Sequence, residues 1–113
     1  METFFVYVTA GDANEARMIG STVVKERLAA CANLLGGIES IYWWDGTVCE
    51  GHEAALVLKT SGKHKTALIE RIRELHSYDC PCIVCLPIRD GNPDFLHWIA
   101  TETGRDQASG GLI

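Results

Sequence analysis

No apolar run in the sequence approaches the ~20 residues that cross a bilayer, so no membrane span is expected. The first residues carry neither a basic segment nor a small-residue cleavage site. That argues against a secretory leader and makes the cytosol the expected compartment. There is no cluster of Lys and Arg. The 10 basic residues are scattered from Arg17 to Arg105, and the formal net charge is −5. A nucleic-acid footprint needs cationic side chains gathered on one face, so no nucleic-acid partner is expected. G-x-S-x-G, a P-loop and a Ser/His/Asp pattern are all missing. Glu39, Asp79 and Asp90 do not fall at the spacing of an acid/base pair. No catalytic residue can be named, and the expectation is a protein that is not an enzyme. An even set of cysteines is missing too: Cys31, Cys49, Cys80, Cys82 and Cys85 make 5. An odd number in a cytosolic chain is a poor disulfide framework. Free thiols, buried or metal-binding, are expected.

What is present fits one globular domain: 113 residues, 47% hydrophobic and 22% charged. Ile38–Thr60 organises it and reads as one long β-hairpin. Asp45-Gly46 lies at the tip, where a type I′ turn needs positive φ. At about 3.3 Å per residue the returning arm, Thr47–Thr60, spans about 45 Å. A compact chain of this length is only about 35 Å across. The tip, with Tyr42, Trp43 and Trp44 beside it, is therefore expected to project onto another subunit.

The rest follows in order. Thr3–Ala10 is β-branched and aromatic on both faces, as a central strand would be. Asp12 and Glu15 form a capping box for a helix over Ala13–Arg27, whose apolar stripe is Ala16, Ile19, Gly20, Val23 and Val24. Gly20 in that stripe implies close packing on a sheet. Ala30–Leu35 starts a second strand, and Gly36-Gly37 reads as a bulge or kink before the hairpin. Ala54–Leu58 is the core half of the returning arm. Thr60-Ser61-Gly62 supplies a break and cap residues for a helix over Lys63–His76, with Ala67, Leu68, Ile72 and Leu75 inward. Cys82–Arg89 is a strand that Pro87 places at an edge or end. Asn92-Pro93 opens a helix to Thr103. From about Gly104 to Ile113 a loosely held tail is expected. The fold class is α+β: a ferredoxin-like βαββαβ antiparallel sheet with two helices on one face, a long hairpin and an extra C-terminal helix.

Six ordered motifs then resemble the CutA divalent-cation tolerance proteins: Val8-Thr-Ala-Gly-Asp12, Arg27-Leu-Ala-Ala-Cys-Ala-Asn33, Ser40-Ile-Tyr-Trp-Trp-Asp-Gly46, Val57-Leu-Lys-Thr60, Glu74-Leu-His-Ser-Tyr78 and Gly91-Asn-Pro-Asp-Phe-Leu-His-Trp98. The resemblance implies a ferredoxin-like homotrimer whose hairpins pair across subunits. It implies an association with tolerance to copper and other divalent cations, and no well-established reaction. The chain departs from the pattern at Gly11, where proline is usual, and at His76-Ser-Tyr-Asp-Cys-Pro-Cys82. Copper-binding members can carry Cys before the Thr-Ala of the first strand and two histidines before the Pro-Tyr. Here those places hold Val8 and Leu75-His76.

His76, Cys80, Cys82 and Cys85 are the densest set of metal-type donors. Imidazole and thiolate suit copper or zinc. Cys80 and Cys82 point the same way in an extended segment, so His76, Cys80 and Cys82 are the candidate metal ligands, with copper the expected ion. The competing reading is that these cysteines fill apolar positions. Cys82 and Cys85 read as C-x-x-C, but a strand follows instead of the helix a redox pair needs. Cys31, Lys59 and Tyr78 are candidates for a cleft between subunits, and Glu50, His52 and Glu53 read as a solvated strand face. The expected function is divalent-cation tolerance by a metal-binding homotrimer. The alternative is a signalling trimer that senses a metabolite in its clefts.

Overall fold

The structure, a computed structural model, describes residues Glu2–Gly104. The elements are β1 (Thr3–Ala10), α1 (Ala13–Lys25), β2 (Cys31–Trp44), β3 (Thr47–Ser61), α2 (Lys65–Leu75), β4 (Ile83–Ile88) and α3 (Pro93–Glu102). The sheet order is β2-β3-β1-β4, and every neighbouring pair is antiparallel. This is the expected ferredoxin-like arrangement. β1 lies between β3 and β4, the central position expected for it. β4 is the edge strand, where Pro87 forgoes no ladder bond that a second neighbour would need.

The core follows from the period of 2. Phe4, Val6, Val8 and Ala10 pair with Thr60, Leu58, Leu56 and Ala54 and turn to the same face. There they meet Ala16, Ile19 and Val23 of α1 and Leu68 and Ile72 of α2 in one buried cluster. Gly20 is the point of closest approach. A Cβ placed there would lie 3.1 Å from that of Ala32, so even alanine would require α1 or β2 to give by a few tenths of an ångström. The opposite face is covered only in part, by α3 against β3, where Thr103 bonds Ser61 and Lys59 lies near Phe95. It leaves Val84 and Leu86 of β4 about half exposed, at 47% and 54%.

Several boundaries differ from the sequence reading. α1 stops at Lys25, two residues before Arg27, because Arg27 turns left-handed at φ 64° and the N–H groups of Leu28 and Ala29 both return to the Val23 carbonyl. α2 starts at Lys65. β3 runs on to Ser61, and the Ser61 hydroxyl bonds His64 Nδ1 at 2.9 Å instead of capping the helix. Ala67, expected inward, is exposed, because Leu68 and Ile72 one turn apart define the buried face. Ile99 anchors α3. Of the tail expected from about Gly104 to Ile113, all but Gly104 lies outside the described residues.

The hairpin is as long as expected. β2 has 14 residues and β3 has 15. Their register slips once, between Leu34 and Gly36, where Gly36 takes φ 87°; that is the bulge. Asp45 at φ 52° and Gly46 at φ 78° make the type I′ turn. β1 ends opposite Ala54, so from Glu53 to Thr47 the strand β3 has only β2 beside it. The result is a two-stranded arm, and the chain measures 51 × 29 × 22 Å.

Candidate functional site

The polar centre of the molecule is the junction where the end of β1, the first turn of α1 and the loop after α2 meet. His76 caps the C-terminus of α2 in an extended conformation, and its side chain is fully buried at 0% exposure. Its Nε2 lies 2.7 Å from the Thr9 carbonyl. A carbonyl only accepts, so Nε2 bears the proton and donates. The Tyr78 backbone N–H donates to Nδ1 at 3.1 Å. The two bonds together fix the tautomer and the ring plane.

Glu15 closes the other side. Its N–H is capped by Asp12 Oδ1 at 2.8 Å, as a capping box requires. Its own carboxylate, however, reaches past Asp12: Oε1 accepts from Gly11 N at 2.7 Å and Oε2 from Ser77 N at 2.8 Å. Oε2 also lies 3.9 Å from His76 Nδ1. Burial pushes this carboxyl up, but the hydrogen bonds from Gly11 and Ser77 outweigh it and hold the group below its usual 4.5. Tyr78 stacks at a tilt on His76, with ring centres 4.7 Å apart, and its hydroxyl donates to Glu53 Oε2 at 2.9 Å. Burial, then the bond to Glu53, pushes that hydroxyl up to about 12. It stays a donor at any physiological pH.

Glu15 carries a pH dependence whose sign is fixed. Its folded value is depressed, so its stabilisation is complete above pH 4.5 and is lost as pH falls through the lower folded value. Urea midpoints of Glu15→Gln should therefore start lower than wild type at pH 7 and converge on it as pH drops below 4.5. Curves that stay parallel would refute the carboxylate's role. Glu26, held low by its hydrogen bonds with Arg71, contributes the same slope to both proteins.

The expected metal ligands are not gathered into one preformed site. Both ring nitrogens of His76 are engaged, and no lone pair is left for a cation. Cys80 and Cys82 are exposed in the loop between α2 and β4. Among the described residues, no group of three His, Cys, Asp or Glu side chains stands close enough to hold a metal ion. An open depression of about 430 Å³ lies beside them, lined by Glu70, Arg73, Glu74, Tyr78, Asp79 and Pro81 among others.

The remaining candidates separate along β3. Cys31 pairs across from Lys59, whose Nζ donates to Asn33 Oδ1 at 2.5 Å and lies 6.0 Å from the Phe95 ring. Burial pushes the Cys31 thiol up, against the pull of Lys59; it is no thiolate nucleophile. Tyr78 joins the strand at Glu53 instead, about 20 Å along β3 at ~3.3 Å per residue. On a single chain Cys31, Lys59 and Tyr78 therefore share no cleft. Cys85 is half-buried against the core and its thiol too is pushed up by burial. Tyr42, Trp43 and Trp44 are 45%, 74% and 60% exposed at the arm's tip. Sequence reasoning missed Thr9 and Glu15 as partners of His76 and Ser77 as a partner of Glu15. Only Glu15 left a signal, and that signal was its capping position.

An antiparallel βαββαβ sheet with an overlong hairpin, its buried His76 held between Glu15 and Tyr78, defines a ferredoxin-like α+β domain. The chain belongs to the CutA1 divalent ion tolerance protein family, whose family model matches residues 4–102. It is 43% identical over 99 residues to the divalent-cation tolerance protein CutA of Thermus thermophilus, covering 88% of this chain and 96% of that one. It is 39% identical over 98 residues to the chloroplastic protein CutA 1 of rice, covering 87% of this chain and 55% of the longer relative. The solved Thermus thermophilus structure superposes with a TM-score of 0.88 at 42% identity, covering 90% of this chain and 99% of that one.

Proposed function

We propose that this chain serves metal-cation tolerance in the cytosol as a homotrimer that binds copper or another soft cation and catalyses no reaction. The projecting arm carries the reading. Ile41, Trp43 and Trp44 are 72%, 74% and 60% exposed on a ribbon that has left its own sheet. An isolated two-stranded ribbon is marginal in water, and large aromatics are the residues that anchor interfaces. The uncovered Val84 and Leu86 on the open sheet face support the same assembly. The names of the relatives support the cation role. The five free thiols suit a reducing compartment, and the exposed Cys80 and Cys82 are the donors that suit copper.

Sedimentation and equilibrium dialysis test the reading together. The expected mass is three times the 12.4 kDa of one chain, with copper retained in proportion to protein. A single-chain mass would remove the assembly, and dialysis that leaves no copper on the protein would remove the metal role.

A further inference from the structure

We propose that Cys80 and Cys82 by themselves form a two-thiolate site for the monovalent soft cation Cu(I), with His76 taking no part. The proposal rests on the copper reading above and narrows it to a site and an oxidation state. Three observations carry it. First, of the five cysteines only Cys80 and Cys82 are exposed; Cys31, Cys49 and Cys85 are half-buried. Second, the loop that carries them is fastened on both sides. Upstream, Ser77 N is held by Glu15, Tyr78 N by His76 Nδ1 and the Tyr78 hydroxyl by Glu53. Downstream, the Cys82 carbonyl accepts from Thr9 N at 3.4 Å. Third, Pro81 stands between the thiols. It fixes its own φ and restricts the residue before it, which leaves less backbone freedom to lose on chelation.

The geometry admits a chelate. The chain bends through residues 77–80, and Cys82 directly precedes β4; with one residue between them the two Cα atoms are no more than about 7 Å apart. Two metal–sulfur bonds of about 2.3 Å need sulfurs no more than about 4.6 Å apart, which ordinary rotamers supply. Selectivity follows from donor count. No third His, Cys, Asp or Glu joins the pair among the described residues. Structural zinc wants four ligands, and Cu(II) prefers nitrogen and oxygen in a square plane. Thiolates select Cu(I), and two of them suffice for it. Binding is a substitution without electron transfer. Each thiol releases its proton to solvent, two Cu–S bonds form, and the two bonds to the incoming carrier's thiolates break. The carrier is any soluble Cu(I)–thiolate complex.

The test is anaerobic competition for Cu(I) against a coloured bicinchoninate chelator, followed by X-ray absorption on the loaded protein. Wild type should take one Cu(I) per chain with two sulfur scatterers and no imidazole. Cys80→Ser with Cys82→Ser should weaken binding at least tenfold without changing the circular dichroism. His76→Gln, which keeps a donor and an acceptor in the buried junction, should bind as wild type does. Retained affinity in the double serine variant, or a loss in His76→Gln matching it, would overturn this site and leave the copper reading standing on other donors. A wild type that takes up neither Cu(I) nor Cu(II) would overturn both.

Discussion

Replacing Trp43 and Trp44 together by serine should convert the proposed trimer to single chains at the same protein concentration. Truncating an aromatic anchor at the centre of an interface costs about 2 kcal/mol or more. Two such losses come to about 4 kcal/mol, which weakens each contact roughly a thousandfold. The fold of the single chain should survive, because neither side chain belongs to the buried cluster and the Asp45-Gly46 turn is untouched. Light scattering reads the mass, and circular dichroism shows that the sheet remains. Trp43→Phe with Trp44→Phe keeps most of the apolar area and should keep the trimer. If the serine variant held three chains, the tip would be a free end and assembly would rest on the open sheet face with Val84 and Leu86.

The arm shows why so much of the architecture could be read in advance. Its evidence is local. A Asp-Gly turn, aromatic and β-branched flanks, and a length that exceeds any compact globule of this size all lie within one stretch. β1 and the stripe on α1 are legible for the same reason, since a period of 2 or 3.6 is written in consecutive residues. Boundaries were less secure because tertiary bonds set them. Arg27 leaves the helix to meet Glu102, and Ser61 extends β3 by bonding His64. The site was least legible. His76 was singled out for the chemistry of its ring, but its role depends on the Thr9 carbonyl 67 positions away. A backbone carbonyl has no sequence signature. The same limit applies to Cys31, Lys59 and Tyr78: the order of residues does not say that a strand about 20 Å long separates two of them from the third.

His76→Leu should lower stability by about 3 kcal/mol, and His76→Gln by clearly less. Leucine is close in volume, so the cavity term is small. What it removes are two hydrogen bonds, the one to Thr9 buried and the one from Tyr78 part-buried. The Thr9 carbonyl loses its donor and the Tyr78 N–H loses its acceptor, and each buried group left unpaired costs about 1–3 kcal/mol. For a domain of this size 1 kcal/mol moves the melting point by about 4–8 °C, so the leucine variant should melt at least about 12 °C lower. A glutamine side chain offers an N–H for Thr9 and an oxygen for Tyr78, and should recover part of the difference. Scans at one fixed protein concentration separate this from any change in assembly. The consequence reaches the thiols. With the Tyr78 N–H released, one of the three upstream ties of the Cys80-Pro81-Cys82 segment is lost, and amide exchange at residues 77–80 should speed up while that of β1 and β3 does not. Equal melting points for the leucine and glutamine variants would mean that His76 fills space at the junction and that its two hydrogen bonds do not hold the loop.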